Sequence, residues 1–308
     1  MRAEIGRGGA YWNSLLQSAD GRPFGIRLRH PSTRSVPTRS ADGVTLNAEP
    51  PVGPPELRDS VSGWILARIL LFLLLASLPL LAISAHEFGL VSLRSSALVL
   101  ILPAVATLAV VITFAPHPVD GIVGRGLIAG MVACLAYDAF RLTAVYVFGW
   151  MGDFIPIMGT GITNDSDIES GAAIGYLWRY IGDGGGLGVA FYVIAFTVGL
   201  DRWPGRPARV VFAASAFAVF PVWTGLVATV ALTSLRGGDT LFHLRPDTLI
   251  ITLIGHVIFG VFVGLAFLRI LPRGVKWPWP SLLSQLEHRR ARQELKTEYT
   301  SSVSRDQM

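Results

Sequence analysis

Residues 126–148 read GLIAGMVACLAYDAFRLTAVYVF. At 1.5 Å per residue this run, as a helix, is long enough to cross the hydrocarbon core of a bilayer. Two charges sit near its middle, Asp138 and Arg141. A charge at that depth costs roughly 2.5–3.5 kcal/mol on insertion scales, so it calls for a partner or a water-filled cavity. The stretch sets two expectations: a membrane-crossing helix, and a polar site within it.

Five further apolar runs flank it, at 61–84, 96–115, 184–200, 210–235 and 248–271. Together they predict an all-α, polytopic membrane protein with six transmembrane helices. Pro79, Pro103 and Pro221 fall inside such runs, where neighbouring helices can satisfy the freed carbonyls. Arg68 lies within two turns of the start of the first run, close enough for its stem to snorkel to the headgroups. The composition agrees. Only 15% of the 308 residues are charged and 51% are hydrophobic, whereas a soluble domain carries about 25% charged residues. The mean hydropathy is +0.51. The net charge of +5 requires no nucleic-acid partner, because cytoplasmic loops collect Lys and Arg. One cysteine, Cys134, rules out an intrachain disulfide and a cysteine-based zinc cluster.

Three regions follow: a disordered Arg-rich tail over 1–60, the six-span domain over 61–271, and a second tail over 272–308. The first tail lacks the short apolar core of a signal peptide, ends in a Pro-rich stretch at 49–55, and has room for a short helix around Tyr11–Ser18. Trp277-Pro278-Trp279-Pro280 suits an aromatic anchor at the water interface. After it, 281–298 reads as an amphipathic surface helix. The loop 149–183 is the longest. Ser166 and Glu169 match a capping box, predicting an outer-face interfacial helix over about 167–181. It ends at the glycines of 182–186, each of which costs about 1 kcal/mol in a helix interior. The run is read as a joint or a close-packing face; a single long, tilted helix through the glycines is the alternative. The tails and the loop 201–209 are rich in Arg; the long loop holds Arg179 against five acidic residues. That bias places both tails in the cytoplasm of a bacterial inner membrane.

Gly126, Gly130, Cys134 and Asp138 recur every four residues, as do His256, Gly260 and Gly264. Such small-residue seams let helices approach closely in lipid. Counted from the outer ends of their runs, Arg141 is seven residues in and His256 eight, which sets both about 11–12 Å deep. Asp138, Arg141 and His256 are thus the candidate intramembrane polar site, where Asp138 takes a proton or cation, Arg141 balances it and His256 shuttles protons. Asp138 and Arg141, three apart, also suit a pair within one helix. A weaker candidate is a divalent-metal site at Asp165, Asp167 and Glu169, with oxygen ligands of the kind hard cations prefer. His86 and His243 lie in outer loops and could join it as metal ligands.

No His-Glu-x-x-His, Gly-x-Ser-x-Gly or phosphate-binding loop is present, and nothing implies a cofactor. The first functional reading is a non-catalytic structural or accessory subunit, with the lipid bilayer and protein partners or further copies of itself around it. The alternatives are a small transporter or channel at the polar site and a membrane enzyme with an outer-face acidic metal site.

Overall fold

The structure, a computed structural model, describes residues 63–202, 207–237, 243–270, 277–287, 289–291 and 293. The tail 1–60, the helix around Tyr11–Ser18 and most of the C-terminal tail lie outside the described residues. Among those described, the protein is all helical, and six helices are long and apolar enough to cross a membrane. They are α1 (Gly63–Glu87), α2 (Leu93–Phe114), α3 (Pro118–Tyr146), α5 (Ile168–Val198), α6 (Pro207–Leu235) and α7 (Pro246–Ile270), with a short α4 (Ile155–Thr163) before α5.

α3 and α5 lie side by side at the centre. α7 packs on α3 and α6 on α7, while α1 covers the other side of α5. α2 is peripheral, and no residue of Leu102–Phe114 is buried.

The central helix starts eight residues before the run quoted above. His117 caps it: its Nδ1 accepts from the Val119 N–H (3.2 Å), and the Asp120 carboxylate accepts from the His117 N–H (2.9 Å). Pro118 stands in the first turn, where its missing N–H costs nothing. Asp120 also explains Arg68. Rather than snorkelling, Arg68 is buried and grips Asp120 with two donors, Nε at 2.7 Å and an Nη, while its other Nη donates to the Ala115 carbonyl (2.6 Å). A forked guanidinium on a carboxylate is a strong, directional pair, and it ties α1 to α3.

The expected interfacial helix over 167–181 and short span from 184 are instead one helix of 31 residues. Its N-cap is Asp167 rather than Ser166, accepting from the Glu169 and Ser170 N–H groups. Gly182, Gly184 and Gly185 stay helical inside a wide π segment, Trp178–Gly185, and Gly186 opens the α-helical stretch after it. A Cβ on Gly184 would stand 2.5 Å from Cys134 Cβ, and one on Gly186 would stand 2.5 Å from the Ala76 carbonyl oxygen. Tertiary contact that only glycine permits outweighs its poor helix propensity. The separate short helix on that side is α4. It forms a hairpin with the start of α5 through Gly159 and Gly171, whose backbones touch.

Past α7, Trp277 packs back on α5, stacked on Phe196 with centroids 5.5 Å apart. Of the surface helix expected over 281–298, positions 282–287, 289–291 and 293 are helical; the rest lies outside the described residues.

Candidate functional site: a buried ionic cluster between α3 and α5

Asp138 and Arg141 point from α3 towards α5 and the connection that precedes it. Arg141 is 0% exposed and Asp138 1%. Each nitrogen of the guanidinium donates to a different partner: Nε to Asp138 Oδ1 (3.0 Å), one Nη to Asp153 Oδ1 (2.9 Å), and the other to the Tyr176 hydroxyl (3.3 Å). The pair expected within α3 is present, and the residue also reaches two further elements. Phe154 lies under the guanidinium carbon at 5.6 Å.

Asp153 has three more donors: the Tyr176 hydroxyl (2.8 Å), the Tyr146 hydroxyl (3.0 Å) and the Ile155 N–H at the start of α4 (3.2 Å). Burial pushes its pKa upward, but the bonds from Arg141, Tyr176 and Tyr146 outweigh this and hold the carboxyl below the usual aspartate range. A carboxyl shifted this way adds stability that is complete above its unfolded value, about 3.9. That stability is lost as pH falls through the lower folded value. Acid titration of the purified protein is therefore expected to show a melting-temperature limb below about pH 4. Asp153→Asn should remove that limb; an identical acid limb in the variant would refute the assignment.

Asp138 has a second cation. Arg179 of α5 reaches its Oδ1 at 3.4 Å and lies over the Tyr137 ring, 4.6 Å from the centroid. Tyr137 in turn meets the ring of His256, centroids 5.4 Å apart. α3 and α7 do touch, with Gly255 giving room for Tyr137: a Cβ there would stand 1.8 Å from the ring. His256 is 6% exposed. Its Nδ1–H donates to the Thr252 carbonyl (2.7 Å), and no bond to Asp138 or Arg141 is present among the described residues. The structure thus joins Asp138 to Arg141, and sets His256 next to them across Tyr137.

The glycine seams have other neighbours. A Cβ on Gly126 would press on the Gly188 carbonyl at 3.0 Å and one on Gly130 on the Gly184 carbonyl at 2.1 Å, both on α5. Gly260 and Gly264 lie against Ser215 and Val211 of α6.

At the α4 end of the cluster a pocket of about 430 Å³ opens, lined by Trp150, Asp153, Phe154, His243 and Thr248 among others. The Asp165–Glu169 loop is elsewhere. Asp165 accepts from the Asp167 N–H (3.1 Å) and the Ser170 hydroxyl (3.3 Å), and Asp167 from the Glu169 and Ser170 N–H groups, each at 3.2 Å. These oxygens serve the turn and the cap. Among the described residues no three His, Cys, Asp or Glu side chains are gathered to hold a metal ion.

No protein-family model, curated protein or solved structure matches the chain.

Four members of the cluster were not legible as such in the sequence: Asp153, Tyr176, Arg179 and, buried one helical turn after Arg179, Asp183. Ending a helix at the glycines put Asp183 in a joint and Arg179 in a surface helix. For Arg179 and Asp183 the signal is their own spacing. Arg179 and Asp183 are four apart, one turn of a single continuous helix.

Proposed function

We propose that this chain is a non-catalytic, multi-pass protein of a bacterial cell membrane, with both tails cytoplasmic, acting as a structural or accessory subunit. What supports this is how Arg141 is engaged. All three of its nitrogens donate to the protein's own groups, so it has the character of a clamp on α3, α5 and their connection rather than a substrate ligand. The bare surface of Leu102–Phe114 agrees with a chain whose periphery meets lipid or another subunit. The Arg-rich tails carry the orientation.

One experiment tests both parts. A fluorescent protein that matures only in the cytoplasm, fused after Met308, is expected to fluoresce. The fusion, extracted from its native membrane in mild detergent, is expected to run as a defined assembly larger than one chain. A dark fusion would overturn the orientation, and a lone chain would overturn the subunit role.

The second reading, a small transporter or channel, is favoured by one observation. Asp138 Oδ2 and Asp183 Oδ1 are buried with no hydrogen-bond partner of good geometry among the described residues.

A further inference from the structure

Asp183 sits in the π segment of α5 beside Gly184, whose backbone presses on Cys134 of α3. It is 4% exposed, and its Oδ1 has no partner of good geometry. Trp178 Nε1–H is the neighbour that approaches it, without closing a bond of good geometry. Arg179, one turn away, interacts with Asp183 but donates to Asp138 instead. From α3, the carboxylate of Asp138 repels Asp183, and the Cys134 side chain lies against Gly184 next to it. From α1, Pro79 lies against Gly182 and Ala76 against Gly186. From α7, His256 stands on the far side of Tyr137.

The charges do not balance. Arg141 and Arg179 meet the carboxylates of Asp138 and Asp153, which leaves Asp183 as the extra acid. An uncompensated carboxylate in such surroundings is very costly, and the usual outcome is that the group takes a proton. Asp138 already has two guanidiniums against its Oδ1, from Arg141 and Arg179. The free oxygen lies in the π segment Trp178–Gly185.

We propose that the cluster binds one proton, on Asp183, as a neutral carboxylic acid that can release it. The step is simple: a carboxylate and a proton become a carboxylic acid, and the reverse. The ligand is a proton, and the inference goes beyond the subunit role, because a proton can be bound without being carried across.

Infrared spectroscopy tests it on the full chain in phosphatidylcholine vesicles, with the aspartate side-chain carboxyls labelled with carbon-13. At neutral pH the wild type is expected to give a protonated carboxyl band from labelled aspartate, which disappears as pH rises with release of one proton per chain. Asp183→Asn should lose the whole band, and Asp165→Asn should keep it. Should Asp183→Asn not fold, Asp183→Glu with labelled glutamate should move the band to the glutamate label. A wild type without the band, or a band unchanged in Asp183→Asn, would overturn the proposal. So would loss of the band on adding sodium chloride at fixed pH, which would assign the balancing charge to a monovalent cation. Proton movement across the vesicle wall, read with an interior pH dye, addresses the transport reading separately.

Discussion

Arg141→Met is expected to leave little or no folded protein in the membrane fraction. The substitution keeps most of the side-chain volume and removes the charge. Asp138 would keep the longer contact from Arg179 and its interaction with Tyr180, and Asp153 its tyrosines and the Ile155 N–H. Breaking a buried pair from one side costs about 3–5 kcal/mol, because the partner is left charged and unpaired. That is a large share of the 5–15 kcal/mol that holds a typical domain. Arg141→Lys is expected to recover only part of the loss, since a compact ammonium cannot hold Asp138, Asp153 and Tyr176 in the planar fork. The triple variant Asp138→Asn, Arg141→Gln, Asp153→Asn, which removes the charges together, should be more stable than Arg141→Met alone. Fluorescence-detected size exclusion and melting temperature in detergent read all three. A methionine variant as stable as the wild type would dismiss the clamp.

The second large effect concerns the α3–α5 contact. Gly130→Ala is expected to destabilise the protein by about 3 kcal/mol, the upper end of the usual overpacking penalty. Its Cβ would stand 2.1 Å from the Gly184 carbonyl oxygen, which is backbone and cannot swing aside. The helices must separate, and Asp138 then draws away from Arg179. Gly225→Ala on α6 is the matched control. Nothing lies within 4 Å of its added carbon, so helix propensity alone should stabilise by up to about 1 kcal/mol. Opposite signs in the two melting temperatures support the close approach of α3 and α5; equal shifts would refute it.

The six long helices could be read from the sequence because each rests on an extended apolar run, a signal local to the chain. The ends were harder. α3 reaches back to Pro118 through Asp120 and Arg125, charges that a hydrophobicity window excludes but a capped helix accommodates. The glycines of α5 misled for the same kind of reason. Their local preference is against helix, and the contacts with Cys134 and Ala76 that reverse it come from distant parts of the chain. In the site, the Asp138–Arg141 pair was legible because both lie on one helix. Asp153 was not, since only folding of the α3–α4 connection brings it under Arg141. The depth of His256 could be counted from the sequence. That Tyr137 occupies the space between it and the carboxylate depended on the rotation of both helices, which counting residues along an axis does not give.

The wide segment Trp178–Gly185 has a consequence for the timing of side chains around α5. A π turn takes in an extra residue, and each residue of an ordinary helix advances the direction of its side chain by about 100°. The upstream half, with Tyr176 against Asp153 and Gly171 against α4, is thereby out of phase with the downstream half, with Gly186 against α1 and Gly188 against α3. One rod addresses two sets of neighbours whose bearings an uninterrupted spiral could not satisfy together. Arg179 and Asp183 stand at the offset itself, so tightening that turn to ordinary pitch would swing Tyr176 off its carboxylate while leaving the lower glycine contacts in place.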